Sequence, residues 1–361
     1  MHFNIFQGNA SEVLKKLIND RNHRQKYRLV VTSPPYYEQR RYGGYNSVYE
    51  LGHESTDEKF IDKLVEMFLL CRELLTEDGS LWIVIGDVRD NMQKLMIPHR
   101  LALKLSDKKL VNRYTFREDI IWYKQNNMSS SSQSNFSQAY EYVLFFSKSK
   151  ISYTNLNSIR VAGNEVDSGS NKLISSDKLQ FKSNGRDEEK IRKFNDIIHS
   201  ADASTSFDNL PSTSEISKAY GYDPEKHCPT CYRKFKRHAT RKRIGGHNHY
   251  PIFAVCNPSG KNPGNVWEVS TMAHYGNEHF ARFPEELIER IIRFGSKEGD
   301  WVLDPFMGSG TTGVVCTSIG RNFTGIDLYE KNVNIARIKI EEEYHKNHKS
   351  ISRIPLNRLS S

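Results

Sequence analysis

Short apolar runs alternate with longer amphipathic stretches over residues 1–150, and the alternation resumes near Asn262. Residues 2–7 predict a strand, and Ser11 predicts the N-cap of a helix over E-V-L-K-K-L-I, whose apolar positions keep helical spacing. Leu29 to Val31 form a compact apolar run that predicts a buried strand. Thr56 predicts the cap of a long amphipathic helix, F-I-D-K-L-V-E-M-F-L-L-C-R-E-L-L. Asp78-Gly79 then predicts a turn, S-L-W-I-V-I-G-D a buried strand ending in an acid, and Pro98 the opening of another helix. Two β-rich runs, F-R-E-D-I-I-W-Y-K and Y-E-Y-V-L-F-F-S-K, flank a Ser/Asn-rich loop over residues 125–138.

In the second patterned region Pro284 predicts the first position of the helix E-E-L-I-E-R-I-I-R-F. W-V-L-D-P-F predicts a strand, M-G-S-G-T-T a glycine turn, G-V-V-C-T-S-I a helix and N-F-T-G-I-D the next strand. A long helix follows from Glu330 into Tyr344. Strand–helix alternation at both ends with an interrupted middle predicts an α/β fold, one doubly wound sheet carrying an insertion. The expected divisions are a first α/β segment over 1–150, an insertion over 151–262, a second α/β segment over 263–345, and a basic tail over 346–361.

Composition narrows the class. The chain has 361 residues, 37% hydrophobic and 26% charged, which suits a folded chain rather than a disordered one. No apolar run approaches the roughly 20 residues of a membrane span, so no membrane partner is expected. The N-terminal stretch lacks the pattern of a signal peptide, and five scattered cysteines form no disulfide framework, so a reducing, cytoplasmic setting is expected. The formal charge of +9 favours a polyanionic partner, nucleic acid first. From Lys226 to Arg243 there are eight Lys or Arg and no acid, with Tyr232 and Phe235 interleaved. Lys234, Lys236, Arg237, Arg241, Lys242 and Arg243 are therefore candidate phosphate contacts, as are Arg40 and Arg41 in the loop R-R-Y-G-G-Y; a merely solvated basic face is the alternative.

Two stretches carry chemistry. In T-S-P-P-Y-Y, Ser33 and Pro34 each precede a proline and are pushed towards extended backbone. Pro34 and Pro35 have no N–H for a sheet ladder, so the strand stops and leaves a stiff rim. That rim offers carbonyl oxygens, the Ser33 hydroxyl and the faces of Tyr36 and Tyr37, a suitable holder for a flat ring bearing an amino group; a simple Pro-Pro turn would look the same. In D-P-F-M-G-S-G-T-T, Asp304 to Thr312, a strand runs into a glycine turn and a helix, so backbone can approach a ligand closely. Asp327 ends the following strand about twenty residues on, where an acid can bind ribose hydroxyls. An acid beside the glycines, at Asp304, suits a ligand with an ammonium group better than one with a pyrophosphate. Cys228 and Cys231 make C-x-x-C, half of a zinc site. His238, His247, His249 and Cys256 stand at no familiar completing spacing, so a structural zinc and two ordinary thiols both stay open.

These stretches together resemble the DNA amino-methyltransferases of the circularly permuted β class, in which the catalytic motif precedes the cofactor motif. S-P-P-Y resembles the catalytic tetrapeptide and D-P-F-M-G-S-G-T-T the S-adenosylmethionine loop; H-F-A-R-F-P-E-E-L-I, residues 279–288, resembles the segment lining the methionine end. The resemblance covers residues 1–150 and 262–340. It implies a Rossmann-like sheet of seven strands, with the helix after Asp327 leading into the strand at residues 2–7. It implies that Ser33, Pro34, Pro35 and Tyr36 carry catalysis. Asp304, Phe306, Gly308, Gly310, Thr311 and Asp327 would hold the cofactor with Phe280 and Ala281. Where the family often has Gly-Asp after the first strand, this chain has Gly8-Asn9, and Asn9 can still accept a hydrogen bond. Ser at the head of the tetrapeptide implies cytosine N4 in double-stranded DNA; adenine N6 is the rival, and a decayed DNA-binding protein the rival of another class. The middle segment would read the target. A restriction–modification system is the implied setting, with a cognate restriction endonuclease acting on the same site.

Overall fold

The computed structural model describes residues 1–38, 51–90, 92–126, 136–161, 262–271 and 283–351. The chain divides into two compact units, Met1–Ile159 with Pro263–Ser361, and Arg160–Asn262. The first unit is built on five parallel strands: β1 (Phe3–Gln7), β2 (Tyr27–Thr32), β3 (Leu75–Ile85) and, late in the chain, β9 (Trp301–Asp304) and β10 (Asn322–Asp327). A two-stranded ribbon, β4 (Arg89–Asp90) and β5 (Gln93–Lys94), follows β3. Strands β6 (Thr115–Tyr123), β7 (Tyr140–Ser147) and β8 (Val266–Glu268) extend the sheet to eight, in the order β1-β10-β9-β2-β3-β7-β6-β8. The expected Rossmann-like sheet is present, with one strand beyond the seven. That addition is the three-residue β8 at the edge, which runs parallel to β6 and pairs Trp267 with Trp122.

Among the described residues, six helices cover the two faces. Helices α1 (Ala10–Asn19), α2 (Asp57–Leu74) and α3 (Ile97–Leu105) bury Leu14, Phe60, Leu64, Phe68 and Leu101 on one face. On the other, α4 (Glu285–Gly295), α5 (Thr311–Ser318) and α6 (Glu330–Ile351) bury Ile288, Ile291, Val315, Ala336 and Ile340. A sheet covered on both sides has no solvated face, so its central strands read as continuous apolar runs rather than alternating ones. Leu29, Val30 and Val31 are indeed fully buried, as are Leu81 and Ile83.

Three local expectations change. The cap of α1 is Asn9, not Ser11: its Oδ1 accepts the Ser11 and Glu12 amides at 3.0 and 3.3 Å. Pro284 is the N-cap of α4, one position before the helix, where its missing N–H costs nothing. Asp78-Gly79 forms no turn between elements but an irregularity inside β3, where the partner of β2 jumps from Leu75 to Ser80. Asp78 is held there by Arg28 and by the Thr76 hydroxyl, which donates at 3.0 Å.

Topology fixes where a ligand belongs. After β9 the chain crosses to β10 on one side, whereas after β2 it crosses to β3 on the other. The helices leaving these strands therefore sit on opposite faces, and a crevice opens between the carboxyl ends of β2 and β9. In open α/β sheets that switch point is where ligands bind.

Candidate active site

Both chemistry-bearing motifs flank the switch point, and Asp304 ties them together. Its Oδ1 accepts the Thr32 hydroxyl at 2.6 Å and the Phe306 amide at 3.0 Å, and its Oδ2 accepts the Thr312 hydroxyl at 2.6 Å. The side chain is fully buried, and burial raises its pKa to about 6 against the pull of those hydrogen bonds. One carboxylate thus joins the last residue of β2, the turn after β9 and the first turn of α5. Its oxygens are turned towards these protein donors, which ties the Ser33 rim to the glycine turn.

Gly308 and Gly310 take φ of +53° and +85°, and Gly310 N donates to Met307 O at 2.9 Å to close the turn. A methyl group on Gly310 would lie 2.7 Å from the Ala336 Cβ, whereas one on Gly308 would meet nothing within 4 Å among the described residues. The open side of the turn is thus at Gly308, beside the half-buried Phe306 and Thr311. Asp327 lies across from it: Oδ2 accepts the Gly308 amide at 3.0 Å, and Oδ1 accepts Tyr329 N at 2.9 Å and Asn332 Nδ2 at 3.0 Å. Burial raises the pKa of Asp327, with those three donors opposing. The Gly8 amide reaches the Asp327 carbonyl at 2.9 Å, which brings Asn9 to the same edge with its side-chain oxygen engaged as the α1 cap. Ser309 Oγ is buried in the loop and is bonded to no protein group among the described residues.

The rim is stiff for reasons beyond its prolines. Glu38 N donates to Gly52 O at 2.8 Å, and Gly52 N donates to Glu54 Oε2 at 2.9 Å. Gly52 has φ of +101°, and a Cβ there would sit 2.8 Å from the Tyr36 carbonyl oxygen, so only glycine fits. Buried Glu54 is paired with Lys63 at 3.0 Å. Ser33 is half-buried and Pro34 buried. Tyr37, open as a ring binder or a packing aromatic from sequence, is a core residue packed on Phe60 at 5.5 Å. Tyr36 lies with its ring edge against Gly86 and donates its phenolic proton to Glu141 Oε2 at 2.8 Å. Burial, with the neighbouring Glu141 charge adding to it, holds its pKa well above the ordinary value. Lys124 pairs with the other oxygen of Glu141.

Thr32, Thr312, Gly52, Glu54, Glu141 and Lys124 were not singled out from sequence. Only Glu141 carried a signal, as the one acid inside the apolar run Y-E-Y-V-L-F-F. Phe280, Ala281, Arg40, Arg41, Lys234, Lys236, Arg237, Arg241, Lys242, Arg243, Cys228 and Cys231 lie outside the described residues. Among the described residues no cluster of His, Cys, Asp or Glu has the makings of a metal site, and no helix is long and apolar enough to cross a membrane.

Known proteins resemble this chain in sequence and in fold. The type II methyltransferase M.Cfr9I of Citrobacter freundii is 26% identical over 368 residues, spanning 94% of this chain and 88% of its own. M.HpaI of Haemophilus parainfluenzae, another type II methyltransferase, is 37% identical over 141 residues, 37% of this chain and 44% of its own. The fold is that of the cytosine-N4-specific PvuII DNA methyltransferase, with a TM-score of 0.54 and 15% identity over 96% of this chain and 92% of that one. The profile of the N6/N4 DNA methylases matches residues 27–337, which takes in both motifs, the rim and the glycine turn. With most of its length matched in this way, the chain belongs to the DNA methylase family.

Proposed function

We propose that this DNA methylase transfers a methyl group from S-adenosylmethionine to the exocyclic N4 nitrogen of cytosine in double-stranded DNA. The observation that carries the reading is the Thr32–Asp304–Thr312 clamp, which sets Ser33 and the glycine turn at a fixed separation across the switch point. The open backbone at Gly308, the carboxylate of Asp327 and the Ser309 hydroxyl fit a nucleoside with polar substituents. The donor supplies an electrophilic methyl on a sulfonium, so no metal or covalent enzyme intermediate is needed.

The exocyclic nitrogen is a poor nucleophile because its lone pair is delocalised into the ring. Ser33 Oγ and the Pro34 carbonyl accept its two N–H groups and draw it towards tetrahedral geometry. Its lone pair would then be free to take the methyl that the bound donor supplies, the nitrogen giving up one proton to solvent. Tyr36 stacks on the base, which must leave the duplex to be reached. Most of the acceleration comes from positioning two reactants. Residues 151–262 serve as the target reader, with Arg40, Arg41 and the cationic cluster Lys234 to Arg243 on phosphates. The type II relatives support a restriction–modification setting, in which an endonuclease acts on the same site.

Expression in methylation-free cells, followed by nucleoside mass spectrometry and genome-wide mapping of modified bases, tests this. N4-methylcytosine at one sequence is expected. N6-methyladenine overturns the base assignment, and unmodified DNA overturns the activity.

A further inference from the structure

The backbone that carries the Ser33 rim ends under strain. Directly after Tyr36 and Tyr37, Glu38 takes a φ of +52°, in the left-handed region that disfavours a side chain. A residue keeps such a conformation only where its surroundings hold it. Here the hold is Gly52: Glu38 N donates to Gly52 O at 2.8 Å. Gly52 also packs beneath the rim, since a Cβ on it would lie 2.8 Å from the Tyr36 carbonyl oxygen and 3.8 Å from the Pro35 Cβ. Whatever fixes Gly52 therefore fixes the far end of the rim.

Glu54 fixes Gly52. The Gly52 amide donates to Glu54 Oε2 at 2.9 Å. The Glu54 side chain is only 2% exposed, so water is shut out of that bond. Oε1 is paired at 3.0 Å with Lys63 of α2, whose side chain is 55% exposed. The Tyr37 hydroxyl reaches the Glu54 carbonyl at 3.4 Å, while its ring packs on Phe60 of the same helix. A buried carboxylate is costly unless it is paired and hydrogen-bonded, and this one spends one oxygen on a helix and the other on the backbone under the rim.

We infer that Glu54 is a positioning residue for methyl transfer: by holding the Gly52 amide it fixes the Pro35–Tyr36 backbone against α2 and keeps the rim in register with the base. The rim is then held at both ends, by Asp304 through the Thr32 hydroxyl and by Glu54 through Gly52. What counts at Glu54 is an accepting oxygen at the right reach, not the charge that carries it. This deepens the role proposed for Ser33, Pro34 and Tyr36 and rests on that reading.

The test compares Glu54→Asp with Glu54→Gln. Each is read as single-turnover methyl transfer at saturating DNA, well below its Tm, on a duplex carrying the sequence found by mapping, with cofactor affinity measured alongside. Asp keeps the charge but is one methylene too short to reach the Gly52 amide. Its transfer rate is expected to fall about tenfold to a hundredfold, the scale of a small misplacement of reacting groups, with cofactor affinity unchanged. Gln keeps the length and an accepting oxygen without the charge, and is expected to retain most of the rate. Gly52→Ala presses on the Tyr36 carbonyl with Glu54 in place, and is expected to lose transfer with cofactor affinity again unchanged. Wild-type transfer in Glu54→Asp overturns the inference. So does the reverse order, with Asp active and Gln impaired, since the charge facing Lys63 is then what matters. Cofactor affinity that falls in step with the rate overturns it too, because Glu54 then supports the fold as a whole. Should Glu54→Asp fail to fold, wild-type transfer in Gly52→Ala overturns it instead. A wild-type chain that transfers no methyl to DNA fails at the earlier step and removes the proposed function before any variant is compared.

Discussion

Ser33 and Asp304 show how differently two residues of one site can work. Ser33 is half-buried, one residue beyond a strand whose last hydroxyl is tied to Asp304. Ser33→Ala is expected to leave cofactor affinity little changed while the methyl-transfer rate falls about a hundredfold or more, the usual loss when a transition-state hydrogen bond goes. Titration calorimetry with the cofactor and single-turnover transfer separate the two quantities, and an unchanged rate would remove Ser33 from the mechanism. Asp304 acts inside the protein, and its effect is on stability. Its pKa is raised by burial from 3.8 to about 6, so the folded chain keeps this proton over a pH range where the unfolded chain has lost it. Its stabilising contribution is therefore complete below about pH 4 and is lost as pH rises through 6, a change of about 3 kcal/mol for two pKa units. Urea unfolding of the wild type and Asp304→Asn should show the difference between them moving against the wild type across that window. A flat difference would mean that the carboxyl titrates normally. The acid in D-P-F was legible in the sequence as part of a ligand loop, but its partners were not. Thr32 lies 272 positions away, and nothing local to either residue announces the pair.

At the scale of elements, the same glycine turn contains two positions that look alike in sequence and differ in space. Both Gly308 and Gly310 have positive φ, which costs a side chain about 1–2 kcal/mol. Gly310 in addition meets Ala336 of α6 at 2.7 Å from its would-be Cβ and 2.9 Å from the Ala336 Cα, whereas Gly308 is open. Gly310→Ala is therefore expected to cost clearly more stability than Gly308→Ala, about 3 kcal/mol against about 1. Thermal unfolding of both variants checks the ranking, and equal losses would show that α6 yields without strain. Adding Ala336→Gly should recover part of the Gly310→Ala loss, since it removes the methyl contact but not the backbone strain or the approach to the Ala336 Cα. The elements themselves were legible because a sheet covered on both faces demands apolar runs, and Leu29–Val31 and Leu81–Ile85 supply them. Their edges were less so. Asn9 and Ser11 are both good caps, and only the geometry of the turn after β1 selects Asn9. The break inside β3 was hidden because Asp78-Gly79 has the composition of a turn, while its place is fixed by Arg28 on the neighbouring strand.

For the whole molecule, chain order and spatial order differ, and function depends on the spatial one. The glycine turn comes about 270 residues after the Ser33 rim in sequence, yet β9 and β2 are neighbours and β10 lies parallel beside β1, pairing Phe323 with Phe3. Motif order was legible; the adjacency follows only from the switch in winding direction. Charge belongs to this scale too. A net charge of +9 is concentrated in part between Lys226 and Arg243, a stretch apart from both motifs in the chain. If that cluster reads phosphates, each contact releases condensed counterions, and log affinity for duplex DNA falls linearly with log salt, with a slope of about 0.9 per phosphate engaged. Replacing Lys234, Lys236, Arg237, Arg241, Lys242 and Arg243 by Ala should then flatten the slope by about one for every phosphate no longer held. Affinity should drop on specific and nonspecific duplexes alike, because phosphates carry no sequence. Cofactor affinity should be unchanged if the cluster serves phosphates alone. Anisotropy titrations at several salt concentrations decide it. An unaltered slope would make the cluster a solvated face and move the search for phosphate contacts to Arg40 and Arg41, close in sequence to the Ser33 rim.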